Sequence, residues 1–137
     1  LFAKRMRDTT AHLFASTLYL NEVGRPVNAS DLTKMQFVGF DHPQQRLELM
    51  ASRGIDLTTE NFNFITASGT LSVELIRQGL GIGILPIEVG ETYPDLENPF
   101  PAFEPIQVET WLVVHRELKT SSRIRLVFNL LSESFSK

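Results

Sequence analysis

The stretch Gly79-Leu80-Gly81-Ile82-Gly83-Ile84-Leu85-Pro86 decides the fold of this chain, because of the elements that surround its glycines. The residues before it, Thr70–Gln78, have the pattern of a helix, whereas Ile82–Leu85 is a short apolar run that predicts a buried strand. The glycines therefore lie where a helix ends and a buried strand begins.

This order of elements argues against a phosphate-binding loop. A dinucleotide fingerprint requires a strand, then glycines, then a helix whose N-terminus faces the pyrophosphate. We expect instead that Gly79 ends the helix in a left-handed conformation. Gly81 and Gly83 are expected to let the strand pack closely against its neighbours.

Composition limits the classes of protein that remain. The chain has 137 residues, 42% hydrophobic and 21% charged, which is enough for one core or two small lobes. It has no cysteine, which excludes disulfides and thiolate catalysis. The net charge of −3 argues against nucleic-acid binding by this segment alone. No apolar run is long enough to cross a membrane and no secretory pattern opens the chain, so we expect no membrane partner and a cytoplasmic location.

Strands and helices alternate along the chain, and this alternation predicts an α/β fold with a mainly parallel sheet flanked by helices. The predicted strands are Ala11–Ala15, Gln36–Phe40, Asn61–Thr66, Ile82–Leu85 and Ile106–His115. Five helices are predicted. The first runs from Ser16 to Gly24, the second is a short turn that begins at Ser30 or Asp31, and the others are Pro43–Arg53, Thr70–Gln78 and Ser121–Ser136. Tyr93–Pro105 holds four prolines and is predicted to be a surface loop.

The last predicted helix has an apolar stripe made of Ile124, Val127, Phe128, Leu131 and Phe135. Leaving such a stripe in water is unfavourable, since each side chain gains about 1.5–3 kcal/mol on burial. We therefore expect self-association of the protein.

Two places combine a strand end with a following helix start, Phe14–Thr17 and Ile65–Thr70. Ligands of open α/β sheets bind beyond the carboxyl ends of strands, where helix N-termini offer unpaired N–H groups. We expect the two helix N-termini to converge on one cleft edge and to collect small anions near Ser16 and Ser68. The alternative is that these serines only cap their helices, and the two roles are compatible.

No catalytic constellation is evident in the sequence. His12 and His115 lie in apolar strands and His42 precedes a proline, and no pair has the spacing of metal ligands. No serine occurs as Gly-x-Ser-x-Gly. We therefore expect neither an enzyme, nor a metal, nor a cofactor.

Five motifs follow one another along nearly the whole chain. They are Phe14–Leu20 with Gly24-Arg25-Pro26 and Ser30-Asp31-Leu32, then Thr66-Ala67-Ser68, Gly79–Pro86, Trp111–Arg116 and Ser121–Arg125. Together they resemble the effector-binding domain of LysR-type transcriptional regulators.

The resemblance implies a two-lobed domain like the type II periplasmic binding proteins, joined to an N-terminal winged helix-turn-helix. It assigns residues 1–9 to a segment leading from the first lobe, 10–107 to the second, effector-binding lobe, and 108–137 to a return strand and C-terminal helix. Neither the winged helix-turn-helix nor most of the first lobe has a counterpart here, so we expect a piece of a longer protein that reaches DNA only through that missing part.

The resemblance also implies a small anionic effector, such as a carboxylate, in a cleft between the lobes, where it controls a DNA-bound homo-oligomer. The residues expected to contact it are Ser16, Thr17, Thr66, Ser68 and Gly69. One lobe of a solute-binding protein for a transporter is the alternative, and the sequence upstream of Leu1 would separate the two: a winged helix-turn-helix or a signal peptide. An enzyme or a nucleotide-binding protein on the same scaffold would need a constellation that we do not find.

Overall fold

The computed structural model describes residues 2–5, 8–40, 42–108, 111–114, 126, 129 and 130. The chain divides into a larger unit, Ala11–Pro105, and a smaller unit made of Leu1–Thr10 and Ile106–Lys137. The strands are β1 Phe2–Arg5, β2 Thr9–Ser16, β3 Phe37–Phe40, β4 Phe62–Thr66, β5 Gly83–Pro86, β6 Leu96–Glu97, β7 Ile106–Val108 and β8 Trp111–Val114. The α-helices are α1 Thr17–Val23, α2 Ala29–Leu32, α3 Pro43–Ser52, α4 Gly69–Arg77 and α5 Ile87–Thr92.

The α/β class is confirmed, but the prediction of a mainly parallel sheet is wrong for the described residues. β2 pairs antiparallel with both β5 and β6, and β1 pairs antiparallel with β8. The described parallel pairings are β3 with β4 and a single bridge from Phe37 to Ile82. The alternation of strands and helices could not reveal this, because the direction of a strand is set by its partners.

Polar caps begin α1 and α4 where the sequence places them, whereas the start of α2 needs correction. The Ser16 hydroxyl accepts a hydrogen bond from the Tyr19 N–H at 3.1 Å, and Ser68 does the same for Leu71 at 3.2 Å. α2, however, is capped by Asn28 rather than started at Ser30 or Asp31. Asparagine is as good an N-cap as serine or aspartate, so a residue two positions earlier satisfied the same orphan N–H groups.

Two further expectations need correction, and two elements were not predicted. The predicted strand Ile106–His115 is divided into β7 and β8. The predicted loop Tyr93–Pro105 contains β6, which pairs with the end of β2. Neither β1 nor α5 was predicted from the sequence. β1 is the charged stretch Phe2–Arg5, and it forms a strand because it pairs with Trp111–Val114.

The glycines behave as expected. Gly79 follows α4 with a φ of 82°, in the left-handed region. A Cβ on Gly81 would lie 2.8 Å from the Gln36 carbonyl oxygen, and a Cβ on Gly83 would overlap the Ile76 side chain. The two glycines therefore allow β5 and the segment before it to approach β3 and α4 closely.

The core of the larger unit includes an apolar cluster between the sheet and α4 and α5. It contains Phe14, Val38, Ile76, Leu85 and Leu96. β2, β3, α4, β5 and β6 each contribute a residue, and Val89 of α5 packs against them, so the cluster joins both helices to the sheet that positions the candidate site.

The apolar stripe of the predicted helix Ser121–Ser136, and His115, lie outside the described residues. Leu126 and Leu130, which are described, are helical and exposed. Across the described part of the chain, no helix has the length and apolar character needed to cross a membrane.

Candidate functional site

The strands of the larger unit's sheet end on two opposite sides of the sheet, and we call each of these sides an edge. The predicted site residues are divided between the two edges. β2 runs antiparallel to β5, with Ala11 opposite Pro86 and Phe14 opposite Gly83. The carboxyl end of β2, with Ser16 and Thr17, therefore lies at the edge where β3 and β5 begin; we call it the Ser16 edge. The carboxyl ends of β3, β4 and β5 lie at the opposite edge, the Thr66 edge, beside Ser68 and Gly69.

Helix α4 runs between these two edges. Ser68 caps the first turn of α4, and Gly79 follows its last turn. At that last turn, the Ser16 hydroxyl lies 3.3 Å from the position that a Cβ on Gly79 would take. At a rise of 1.5 Å per residue, Ser68 and Gly79 are separated by about 16 Å. The prediction that the two helix N-termini converge is therefore wrong, because the rule of shared carboxyl ends applies to parallel strands only.

The hydroxyl groups at the Ser16 edge are already occupied. Ser16 is 2% exposed and its hydroxyl caps α1, while the Thr17 hydroxyl donates to the Glu97 carboxylate at 2.9 Å. Glu97 also forms an ion pair with Arg25 at 2.8 Å. Hydrogen bonds from the Arg25 guanidinium, and to a lesser extent from Thr17, hold the pKa of the Glu97 carboxyl below its usual value. A second anion would meet this carboxylate at the start of α1.

At the Thr66 edge, local hydrogen bonds prepare the start of α4. The Thr66 hydroxyl accepts from the Ser68 N–H at 3.0 Å, and the Ser68 hydroxyl accepts from the Leu71 N–H. The Ser72 N–H donates to the Ser68 carbonyl at 2.9 Å. These bonds hold the backbone of the turn between β4 and α4.

Two donors of this helix N-terminus remain available. Among the described residues, the N–H groups of Gly69 and Thr70 have no hydrogen-bond partner, and both residues are exposed. α4 has nine residues, so its dipole adds a partial positive charge at this end. The arrangement can bind one small anion through two backbone N–H groups.

A groove leads from this N-terminus along α4 towards α5, and we call it the α4–α5 groove. Its volume is about 560 Å³, and its lining includes Gly69, Thr70, Ser72, Val73, Val89 and Tyr93. Ser72 is 4% exposed, and no partner for its hydroxyl occurs in the part of the chain that the structure describes. Among the described residues, the fully buried side-chain polar atom without a partner is Gln36 Oε1 and not the Ser72 oxygen, so the Ser72 hydroxyl is accessible from solvent.

The sequence did not point to Ser72 or the α4–α5 groove. Ser72 follows Gly69 by three residues and precedes Ile76 by four, so this polar residue lies on the buried face of α4. That spacing was visible in the sequence. The opposite wall was not, because α5 was not predicted.

A second cavity, of about 370 Å³, is lined by His12 and Asn98 among others. The buried His12 ring is satisfied: Nε2 lies 2.8 Å from the Phe103 carbonyl oxygen and Nδ1 accepts from the Leu13 N–H at 2.8 Å. His12 is therefore a buried histidine with both ring nitrogens paired. In the described parts of the chain, no three histidine, aspartate or glutamate side chains are placed to hold a metal ion.

Comparison with known proteins identifies the family. The family model described as the LysR substrate binding domain matches residues 1–136. No curated protein sequence matches the chain.

Solved structures of LysR-type regulators share the fold at low sequence identity. The regulatory domain of CrgA from Neisseria meningitidis is 18% identical with a TM-score of 0.74, over 98% of this chain and 69% of that one. The effector domain of AmpR from Pseudomonas aeruginosa is 13% identical with a TM-score of 0.71, over 96% of this chain and 64% of that one. Full-length AphB from Vibrio cholerae is 16% identical with a TM-score of 0.66, over 98% of this chain and 48% of that one.

The chain thus spans about half to two thirds of these structures, whose descriptions name regulators of transcription. The solute-binding lobe of a transporter is not favoured by these matches. The match over residues 1–136 extends across both units of the fold, and the chain belongs to the LysR substrate binding domain family.

Proposed function

We propose that this chain senses a small anionic effector for a LysR-type transcriptional regulator, and that the anion binds at the Thr66 edge. The observation that carries the proposal is the pair of free N–H groups at Gly69 and Thr70. Hydrogen bonds to a charged group contribute about 1.5–3 kcal/mol each, and the helix dipole adds to them. Thr66 and Ser68 hold the turn, and Gly69 supplies one of the two donors.

We do not extend the site to Ser16 and Thr17. The Ser16 hydroxyl is buried and caps α1, and Thr17 already donates to Glu97. Bringing an anion close to the Glu97 carboxylate costs free energy by Coulomb repulsion. These residues join α1 to β6 and stabilise the fold.

In this proposal the chain influences DNA binding without contacting DNA itself. A net charge of −3 gives the chain no general attraction for DNA, so DNA contacts come from a winged helix-turn-helix elsewhere in a longer cytoplasmic protein. Effector binding then changes how a DNA-bound homo-oligomer is arranged.

Amide chemical shifts test the anion site. We expect sodium acetate and sodium sulfate to shift the N–H resonances of Gly69 and Thr70 in a saturable way, because both lie at the start of α4. Thr17 and Leu18, at the start of α1, are the internal comparison and are expected to stay constant. Saturable shifts at Thr17 with none at Gly69 would overturn the assignment.

We also propose that the protein self-associates through apolar side chains exposed on β4 and α4. Phe64, Ile65 and Leu71 are 42%, 51% and 49% exposed, and β4 pairs with β3 alone among the described strands. Exposed apolar side chains on and beside a strand that lacks a second partner favour association.

Light scattering after size-exclusion chromatography tests this self-association. We expect a dimer or larger species, and Phe64→Ser is expected to shift it towards monomer because it removes apolar contact area. Leu18→Ser is the matched control, since Leu18 is 76% exposed on α1. A monomer at all concentrations, or equal dissociation by both variants, contradicts the proposed surface.

A further inference from the structure

The α4–α5 groove starts at the proposed anion site and continues over an apolar floor. We propose that this groove holds the apolar body of the effector, so that the protein selects monocarboxylates with an alkyl or aryl body over acetate-sized anions and dicarboxylates. This inference rests on the proposed function, because the carboxylate is assigned to the N–H groups of Gly69 and Thr70.

The direction of the groove follows from helix geometry. Val73 is four residues after Gly69, so both lie on the same face of α4, with Ser72 beside them. Val89 of α5 forms the opposite wall, and Tyr93 closes the far end beneath the Arg77 guanidinium, which lies 4.4 Å from the ring centroid. From Thr70 to Arg77 the groove extends along α4 for about 10 Å.

Ser72 is the independent evidence for a ligand. Its side chain is almost fully buried, lines the groove, and its hydroxyl has no partner within the described residues. A carboxylate at Gly69 and Thr70 can accept from this hydroxyl as well, since a carboxylate has lone pairs for about four hydrogen bonds. The ligand would thereby give a partner to a hydroxyl that lines the groove and that no described residue pairs.

The charge at the rim of the groove disfavours a second anionic group. Glu74 lines the groove, accepts from the Gln78 side chain at 3.0 Å and pairs with Arg77 at 3.5 Å. Arg77 in turn lies 3.3 Å from Asp95, so its single positive charge faces two carboxylates. The far part of the groove is therefore apolar with a negative rim, which fits an uncharged ligand body.

A series of carboxylates on the full chain tests the inference by calorimetry and amide shifts. Each methylene that the groove buries is expected to tighten binding about fourfold, so octanoate should bind at least about tenfold more tightly than butanoate. Suberate, with a second carboxylate at the same length, and octan-1-ol, with none, are both expected to bind at least about tenfold more weakly than octanoate.

Substitutions in the walls of the α4–α5 groove test whether the apolar body of the carboxylate binds there. Val73→Thr keeps nearly the same shape but replaces one methyl group by a hydroxyl, and it is expected to reduce the gain in affinity from butanoate to octanoate by at least about threefold. Val27→Thr is the control, because Val27 is 84% exposed on a distant loop and the octanoate affinity should not change. Val89→Thr makes the same test on the opposite wall if Val73→Thr does not fold. Ser72→Ala is expected to weaken the binding of both carboxylates about tenfold.

The outcomes separate this inference from the proposed function. If butanoate and octanoate shift Gly69 and Thr70 equally and bind with equal affinity, the groove inference fails and the anion site stands. If no carboxylate shifts these amides, the anion site itself is wrong. Tight binding of octanoate that neither Val73→Thr nor Val89→Thr reduces would place the apolar body elsewhere and overturn the inference.

Discussion

Replacing Gly81 by alanine is expected to lower the free energy of unfolding by about 2–5 kcal/mol, because the new methyl group would meet backbone atoms rather than a movable side chain. The φ of Gly81 is 155°, which L residues rarely adopt, and the new Cβ would lie 2.8 Å from the Gln36 carbonyl oxygen. That carbonyl accepts from the Ile82 N–H at 2.9 Å, and the Val38 N–H donates to the Ile82 carbonyl at 2.8 Å. The contact is therefore between two backbone segments that cannot separate without breaking the link from β3 to β5.

Thermal and urea unfolding followed by circular dichroism measure this effect. A loss of this size should lower Tm by at least about 8 °C. Gly54→Ala is the matched control, because Gly54 has a φ of 78° but no atom within 4 Å of its Cβ position. Its conformational cost alone is about 1 kcal/mol. Equal destabilisation by both variants would mean that the close approach of Gly81 to β3 contributes nothing to stability.

The second large effect concerns binding. Gly69→Pro is expected to weaken acetate and sulfate binding about tenfold or more, since it removes one of the two N–H donors. Proline suits this position: Gly69 is the first residue of α4, where proline is common, and Ser68 before it has extended dihedrals of −93° and 116°. The helix should therefore persist, with stability changed by about 1 kcal/mol or less.

Gly69→Ala separates the loss of the donor from the loss of the glycine. Alanine keeps the N–H, and the Cβ position of Gly69 is open, so Gly69→Ala should bind acetate at least about tenfold more tightly than Gly69→Pro. Calorimetry on both variants, with circular dichroism to compare helix content, decides the point. Equal affinities in two folded variants would exclude the Gly69 N–H as a ligand donor.

Local physical chemistry made several features predictable from the sequence. Ser16 and Ser68 cap α1 and α4 because a serine hydroxyl three residues before an orphan N–H satisfies it in any tertiary context. Gly79 follows α4 in a left-handed conformation for an equally local reason. The motifs around these residues also resembled the family that the match over residues 1–136 shows.

The candidate site was predictable only in part. Thr66, Ser68 and Gly69 lie together at the carboxyl end of β4, where a strand runs into a helix within a few residues. Grouping Ser16 and Thr17 with them assumed that β2 runs parallel to β4. The register of β2 with β5 reverses that direction, and so moves Ser16 and Thr17 to the opposite edge.

The sequence by itself determined where α1 and α4 begin and end, and at which positions near β5 the chain needs a glycine. Only the tertiary structure decided the direction of β2, the strand form of β1, and the α4–α5 groove that Ser72 lines. The physical reason is range: capping and glycine conformation act within about four residues, whereas strand direction and groove walls depend on residues far apart in the chain. Leu13 and Ile84 are partners across the sheet although some seventy residues separate them.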